Sequence, residues 1–260
     1  MLIIGQRLNL AGNATLLESI KSNPESAIQQ EAVLQEQAGA HALDIHVSFV
    51  KPDRTHFMSY VVDQVRLVSR LPLSIDDSDL DVVEAGLGRA GSNSFINSPV
   101  DLDHLDRIGF LAGKFKEAQL LIVLLKRNKT PERLRDFFET SSNILNALED
   151  KGISRDRVII DALLFCLRQT GPKVLETLDR IKILKEEVGV KSLIGLSNIS
   201  YGLREKEAIN AYFLKLAKKA GLDAVICDPF EKAVMDAANS KNDDLVGKQQ
   251  FLNFAESISG

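Results

Sequence analysis

The chain has 260 residues, of which 45% are apolar and 26% charged, and its formal net charge is −4. This length suits one α/β barrel and the apolar fraction supplies a large core, while the near-balance of charge argues against a nucleic-acid or anionic-membrane surface. The opening MLIIGQRLNL has no basic leader, no apolar run approaches a membrane-spanning length, and Cys166 and Cys227 lie far apart without a CxxC partner. The expected home is therefore the reducing cytoplasm, with neither a zinc site nor a disulfide scaffold.

In chain order, short β-type runs occupy residues 2–5, 42–47, 71–75, 94–96, 119–125, 158–160, 192–196 and 224–227. Helical patterns fill the spaces at 24–38, 55–69, 80–90, 103–117, 131–148, 172–188, 205–220 and 231–258. Asn23 stands as N-cap of the first, which closes at Gly39. The second places Phe57, Val61, Val65 and Val68 on one face. Pro131 and Pro172 stand at first-turn positions, and Gly221 where a helix should stop. Residues 8–23 fit a loop, a short helix or a hairpin. Strand and helix alternate throughout, which implies parallel strands joined by crossover helices. A doubly wound open sheet also alternates. The count of strands and the length favour closure into one (β/α)8 TIM barrel, and no linker divides residues 1–260.

Several strand-like runs end in polar groups, and such ends converge on one open face of a barrel. Asp76 follows an apolar run and precedes Asp77-Ser78-Asp79, a helix entry, so one of the adjacent acids can cap while the other faces the mouth. Asn97 precedes Ser98-Pro99; it fits turn chemistry, and its amide also offers both donor and acceptor to a heterocycle. Asp161 sits between apolar runs, where a carboxylate needs a partner such as adjacent ligand N–H groups. Gly195-Leu196-Ser197-Asn198 closes the seventh run, with Asn198 as the projecting group.

The fragments GQRLN, GAHALDIHVS, SIDDSDLDVVEAGL, FINS, IIDALL, GLSNIS and AINAYFLKLAKKAGLDAVICDP resemble, in order, the pterin-binding methyltransferases that act on methyltetrahydrofolate and a corrinoid protein. The resemblance runs from Met1 to about Lys232. It implies a pterin held in the barrel mouth by Asp76, Asn97 and Asp161, with Asn198 reaching N5 of the folate. Gly195, Tyr201 and Lys206 fall beside the pterin by the same match, and Asn198 is the implied catalytic group. It also implies tetrahydrofolate or 5-methyltetrahydrofolate as substrate, cobalamin on a separate corrinoid protein, and a homodimer. No cobalamin-binding segment is visible, so the corrinoid is expected from a partner. The direction of methyl transfer is open.

Departures from the family pattern occur at Gln6, commonly Glu, at His46 and Ser48, where Asn and Gly are usual, and at Lys206, often Arg. A lone His is usually structural, and His41 and His46 fall on opposite strand faces, so metal binding is not implied. Tyr201 fits a surface aromatic as well as a pterin neighbour. The basic stretch 126–130 fits a solvated loop, or a contact for folate carboxylates or an acidic partner. A dihydropteroate-synthase-like enzyme is a second reading, although that family's Asn-Val-Thr-Pro-Asp-Ser-Phe start and a basic diphosphate site are not found. A catalytically silent folate-binding subunit is a third.

Overall fold

Eight strands close on themselves in chain order: β1 (Leu2–Asn9), β2 (Ala42–His46), β3 (Leu73–Asp76), β4 (Ser94–Val100), β5 (Gln119–Leu124), β6 (Val158–Asp161), β7 (Lys191–Gly195) and β8 (Ala224–Cys227). Each is parallel to both neighbours, and β8 pairs back onto β1. This is the (β/α)8 barrel expected from the alternation. The computed structural model describes residues 1–10, 12–47, 53–102, 105–240 and 247–258. Ser48, the start of the helix expected at 103 and residues 241–246 of the last expected helix lie outside these.

The crossovers carry α1 (Ala14–Ser22), α2 (Pro24–Gln37), α3 (Arg54–Val68), α4 (Leu80–Ala90), α5 (Leu105–Lys114) and α6 (Leu134–Asp150). They continue as α7 (Leu167–Thr170), α8 (Glu176–Lys182), α9 (Lys206–Ala220), α10 (Lys232–Asn239) and α11 (Lys248–Ile258). The open stretch 8–23 is thus the end of β1 and a short helix. Asn13 caps α1 by accepting from the Leu16 N–H, and Asn23 caps α2 by accepting from Ser26. Gly221 ends α9 in the left-handed conformation, as its position suggested.

Two expectations need correction and one refinement. Pro131 lies before α6, which starts at Leu134 with Arg133 in extended geometry as its cap. The helix expected over 172–188 is helical throughout, with Pro172 in its first turn as expected, but only its middle, α8, is α-helix. Gly171 and Pro172 lie in a 3-10 turn, Gly171–Leu175, between α7 and α8, and a π-turn, Ile183–Val188, ends at left-handed Gly189. The helix expected over 231–258 is two helices, because the backbone turns extended at Ser240. On α3 the buried face is Met58, Val61, Val62 and Val65, while Val68, at the helix end, is 38% exposed.

The barrel interior holds a compact apolar plug of Ile4, Ala42, Phe95, Leu121, Ile159, Leu193 and Ala224, one residue from each strand except β3. A larger apolar layer fills the space between strands and helices. Side chains alternate faces along a strand, so the residue two positions further points inward again, one layer nearer the C-terminal mouth. Those residues are Gln6, Asp44, Asn97, Val123, Asp161, Gly195 and Ile226, and Ser74 of β3 leads in the same way to Asp76. The plug is apolar and the next layer mostly polar. That step locates the site.

Candidate active site

The polar layer floors a cavity of about 530 Å³ at the C-terminal ends of the strands. Gln6, Asp44, Asp76, Asn97, Val123, Asp161, Gly195 and Ile226 all line it, each delivered by strand periodicity. Asn198, Tyr201 and Lys206 join from the segment after β7, and Arg7, Asp228 and Glu231 from the β1 and β8 ends. All seven site residues expected from the sequence therefore border one cavity: Asp76, Asn97, Asp161, Gly195, Asn198, Tyr201 and Lys206.

The adjacent acids after β3 divide their work. Asp77 is fully buried, accepts from the Asp79 N–H at 2.9 Å, and takes two bonds from Arg54 Nη1 at 2.8 and 3.1 Å. Arg54 Nη2 also reaches Asp79, the N-cap of α4, at 3.1 Å. This clamp holds the turn, and Asp76 faces the cavity. Asp76 Oδ2 lies 3.2 Å from His46 Nδ1, whose ring is also 2.9 Å from the Asp76 carbonyl oxygen. Burial pulls the imidazole down, but the bond and charge of Asp76 outweigh it and the ring titrates at about 9. His46 is thus a cation at neutral pH, facing the carboxylate.

Asp44 was not among the residues expected from the sequence. It is buried, accepts from Ser74 Oγ at 2.6 Å and from Asn97 Nδ2 at 3.1 Å, and Asn97 Nδ2 also reaches Ser74 Oγ at 3.2 Å. Burial, followed by the Asp76 charge, raises its pKa; the bonds from Ser74 and Asn97 hold it back. The consequence falls on Asn97. Its amide N–H groups point at Asp44 and Ser74, which leaves Oδ1 as the acceptor for a ligand N–H. Asp44 was overlooked because it lies inside a strand rather than at its polar end, although it is two residues beyond inward-facing Ala42.

Asp161 ends β6. Burial lifts its carboxyl to about 6, against the Leu163 N–H, which donates at 2.7 Å, and the charge of Arg180. Leu163 adopts a φ of +57°, a strained geometry for a branched side chain that turns its N–H back onto Asp161. Asn198 lies in the 3-10 turn Leu196–Asn198. A Cβ at Gly195 would sit 3.1 Å from Asn198 Nδ2, so the missing side chain leaves room for that amide. Asn198 has no protein hydrogen bond through its side chain among the described residues, and its amide is open to a ligand.

Gln6 donates through Nε2 to Ser197 Oγ at 2.7 Å, tying β1 to the Asn198 turn. Arg7 pairs with Glu31 at 2.7 Å and Asp228 at 3.0 Å, and its guanidinium lies 4.2 Å from the Phe230 ring centroid. Tyr201 is 74% exposed and stands at the rim, so the structure gives it a cavity edge and a solvated face together. Lys206 opens α9 and is also exposed. The basic stretch 126–130 folds as a tight turn in which Lys126 and Lys129 exchange backbone bonds and Lys126 pairs with Asp136 at 2.8 Å.

No helix among the described residues is long and apolar enough to cross a membrane. Comparison with known proteins gives the site a context. The methionine synthase of Mycobacterium leprae is 27% identical over 240 residues, which cover 87% of this chain but 20% of that protein. The chain thus spans about a fifth of the length of that relative. A methylcorrinoid:tetrahydrofolate methyltransferase of Eubacterium limosum is 23% identical over 258 residues, covering 96% of this chain and 93% of the relative. The dihydropteroate synthase of Xanthomonas albilineans has the same fold, with a TM-score of 0.68 at 20% identity over 99% of this chain and 92% of that one. That of Thermus thermophilus gives 0.68 at 16% identity, over 99% and 94%. The family model for pterin binding enzymes matches residues 5–228, from β1 through β8. The chain belongs to the pterin-binding enzyme family.

Proposed function

We propose that this barrel moves a methyl group between N5 of tetrahydrofolate and the cobalt of a corrinoid carried by a separate protein. The observation that carries the proposal is the ring of acceptors, Asp76, Asn97 Oδ1 and Asp161, facing an Asn198 amide without a protein partner across one cavity. A reduced pterin offers its N–H edge to such acceptors, and a carboxylate accepting two parallel N–H bonds is a strong, orienting contact. His46 pairs with Asp76 and aims it, and Asp44 with Ser74 fixes the rotation of the Asn97 amide. The ring is thereby prepositioned before ligand arrives.

A methyl group on a tertiary amine leaves poorly, because the departing nitrogen takes up negative charge. A hydrogen bond donated to N5 that strengthens in the transition state relieves this. Asn198 Nδ2 is the donor we assign. The corrinoid supplies the cobalt centre that exchanges the methyl group, so the barrel needs no nucleophile of its own. The E. limosum relative, matched over nearly its whole length, supports this reading. A cytoplasmic enzyme acting as a homodimer with a corrinoid-protein partner completes the proposal.

The dihydropteroate synthase reading is weaker on electrostatic grounds. Asp44, Asp76, Asp161, Asp228 and Glu231 line the cavity against Arg7 and Lys206, and Arg7 is already paired with Glu31 and Asp228. An acid-rich mouth repels a diphosphate. Visible spectroscopy tests the proposal: the protein is mixed with 5-methyltetrahydrofolate and chemically reduced cobalamin, and the cobalt spectrum is followed. Methylation dependent on the protein is the expected result. Folate binding without any methylation would leave a silent folate-binding subunit instead.

A further inference from the structure

The end of β6 is pinned at three successive residues. Asp161 closes the strand, the Ala162 N–H donates to the Leu193 carbonyl of β7 at 2.8 Å, and the Leu163 N–H turns back to Asp161 Oδ1 at 2.7 Å. Leu163 does so at a φ of +57°, which a branched side chain adopts only where its surroundings impose it. What imposes it lies on α8. Thr177 Oγ1 and Arg180 Nη1 both donate to the Leu163 carbonyl oxygen at 3.1 Å. The torsions of a residue relate its N–H to its carbonyl, so holding both groups fixes its conformation.

Both donors are built into the core. Thr177 is fully buried. Arg180 is 2% exposed, with its guanidinium 5.4 Å from the Phe165 ring centroid and 5.7 Å from that of Phe137. Arg180 Nη2 also donates to the Glu132 carbonyl at 2.8 Å, which ties the β5–α6 connection to the same point. A carbonyl in such surroundings is costly to leave unpaired. Freed of its two donors, Leu163 relaxes toward negative φ and its N–H swings off Asp161.

We infer that Thr177 and Arg180 are positioning residues: by clasping the Leu163 carbonyl they hold the Leu163 N–H on Asp161 Oδ1 and set the plane in which that carboxylate meets the pterin. The inference rests on the folate reading of the cavity and on Asp161 as an acceptor of the pterin edge. Two parallel N–H bonds demand a carboxylate plane aligned with the donors, so an Asp161 free to turn binds less tightly. Arg180 also acts through its charge, which favours the ionised carboxylate while burial opposes it. Val123 of β5 and Leu193 and Gly195 of β7, which line the cavity with Asp161, are uncharged. Glu176, one turn before Arg180 on α8, approaches it at 3.6 Å.

The test is a double-mutant cycle read by calorimetric titration with 5-methyltetrahydrofolate, each protein first shown to be folded by circular dichroism. Thr177→Val is nearly isosteric and removes one donor. It should weaken binding about three- to tenfold, the scale of one hydrogen bond, and Thr177→Ser, which keeps the hydroxyl, should restore affinity to within about twofold. In an Asp161→Ala background no carboxylate remains to be oriented, and Thr177→Val should weaken binding further by less than about twofold. A second measurement decides the matter even where Asp161→Ala binds too weakly for the cycle. Arg180→Gln removes the charge, so ionisation of Asp161 needs a higher pH. The ratio of its dissociation constant to the parent's should grow about three- to tenfold as pH falls from about 8 to about 5. Asp44, Asp76, Asp228, Glu231, Arg7 and Lys206 line the cavity in both proteins, and their titration cancels in the ratio. The cycle decides alone where Arg180→Gln does not fold. Unweakened binding by Thr177→Val overturns the clasp. So does a full Thr177→Val penalty in the Asp161→Ala background, or a ratio that stays flat with pH, since a merely structural role gives both. Parent protein that binds no folate, or Asp161→Ala that binds it as tightly as the parent, overturns the reading of the cavity on which the clasp rests.

Discussion

His46 and Asp161 both make stability fall as pH rises, in different windows and for different reasons. The His46 imidazole, held at about 9 by Asp76, lies above its ordinary 6.5. Its contribution is therefore complete below about pH 6.5 and is lost as pH rises through about 9, when the ring loses its proton. Replacing His46 with Gln should lower stability at pH 6.5 by on the order of 1 kcal/mol, a fall of about 2–4 °C in Tm, and the deficit should vanish by pH 10. Thermal melts across that range check it; a deficit independent of pH would count against the ion pair. For Asp161 the charged form is the costly one, and the fall comes at lower pH. Its carboxyl sits at about 6, above the ordinary 3.8, so the unfolded chain gives up this proton first and stability falls as pH rises from about 4 to 6. Asp161→Asn retains an acceptor for the Leu163 N–H and removes the buried charge. At pH 7 it should be more stable by on the order of 1–2 kcal/mol and bind 5-methyltetrahydrofolate at least about tenfold more weakly. A variant that is less stable and binds normally would refute the role given to this carboxylate. Asp76, Asn97, Asp161 and Asn198 were legible as polar groups at strand ends. Asp44 was not, because a polar residue within an apolar strand is conspicuous only once its neighbour Ala42 is known to face inward.

At the scale of elements, alternation of strand and helix revealed the barrel because parallel strands need crossover helices. Helix ends were legible where chemistry marks them, as at Asn23 and Gly221. The segment after β6 was legible as helix from residue 172 to 188, but not as a run of three helix types. Its apolar spacing fits continuous helix, whereas Gly171 and Pro172 impose a 3-10 turn, and the π-turn that follows has no sequence mark. β1 shows how close packing shapes the mouth. Its register shifts between Gly5 and Leu8, and a Cβ on Gly5 would collide with the side chain of Gln35 from α2. Gln35 Oε1 in turn accepts the Arg7 N–H at 3.1 Å, which positions the strand end that carries Gln6 and Arg7. Gly5→Ala should cost about 1–3 kcal/mol by overpacking, measured as a lower urea midpoint with an unchanged slope. A neutral substitution would mean that α2 moves freely against β1.

The molecule as a whole joins an apolar barrel interior to an acid-rich mouth. Ligand that binds only the folded state stabilises it by mass action. At a concentration of 5-methyltetrahydrofolate one hundred times its dissociation constant, stabilisation should be about 2.7 kcal/mol, a rise of about 5–10 °C in Tm for a domain of this size. Diphosphate at equal concentration should produce no rise; a larger rise with diphosphate would favour the dihydropteroate synthase reading. The decisive measurement concerns Asn198, the amide left open across from the acceptor ring. In a single turnover with saturating 5-methyltetrahydrofolate and reduced cobalamin, Asn198→Ala should bind folate within about threefold of the parent, yet transfer the methyl group about a hundredfold more slowly. Full-rate transfer by Asn198→Ala would contradict the assignment of this residue to N5.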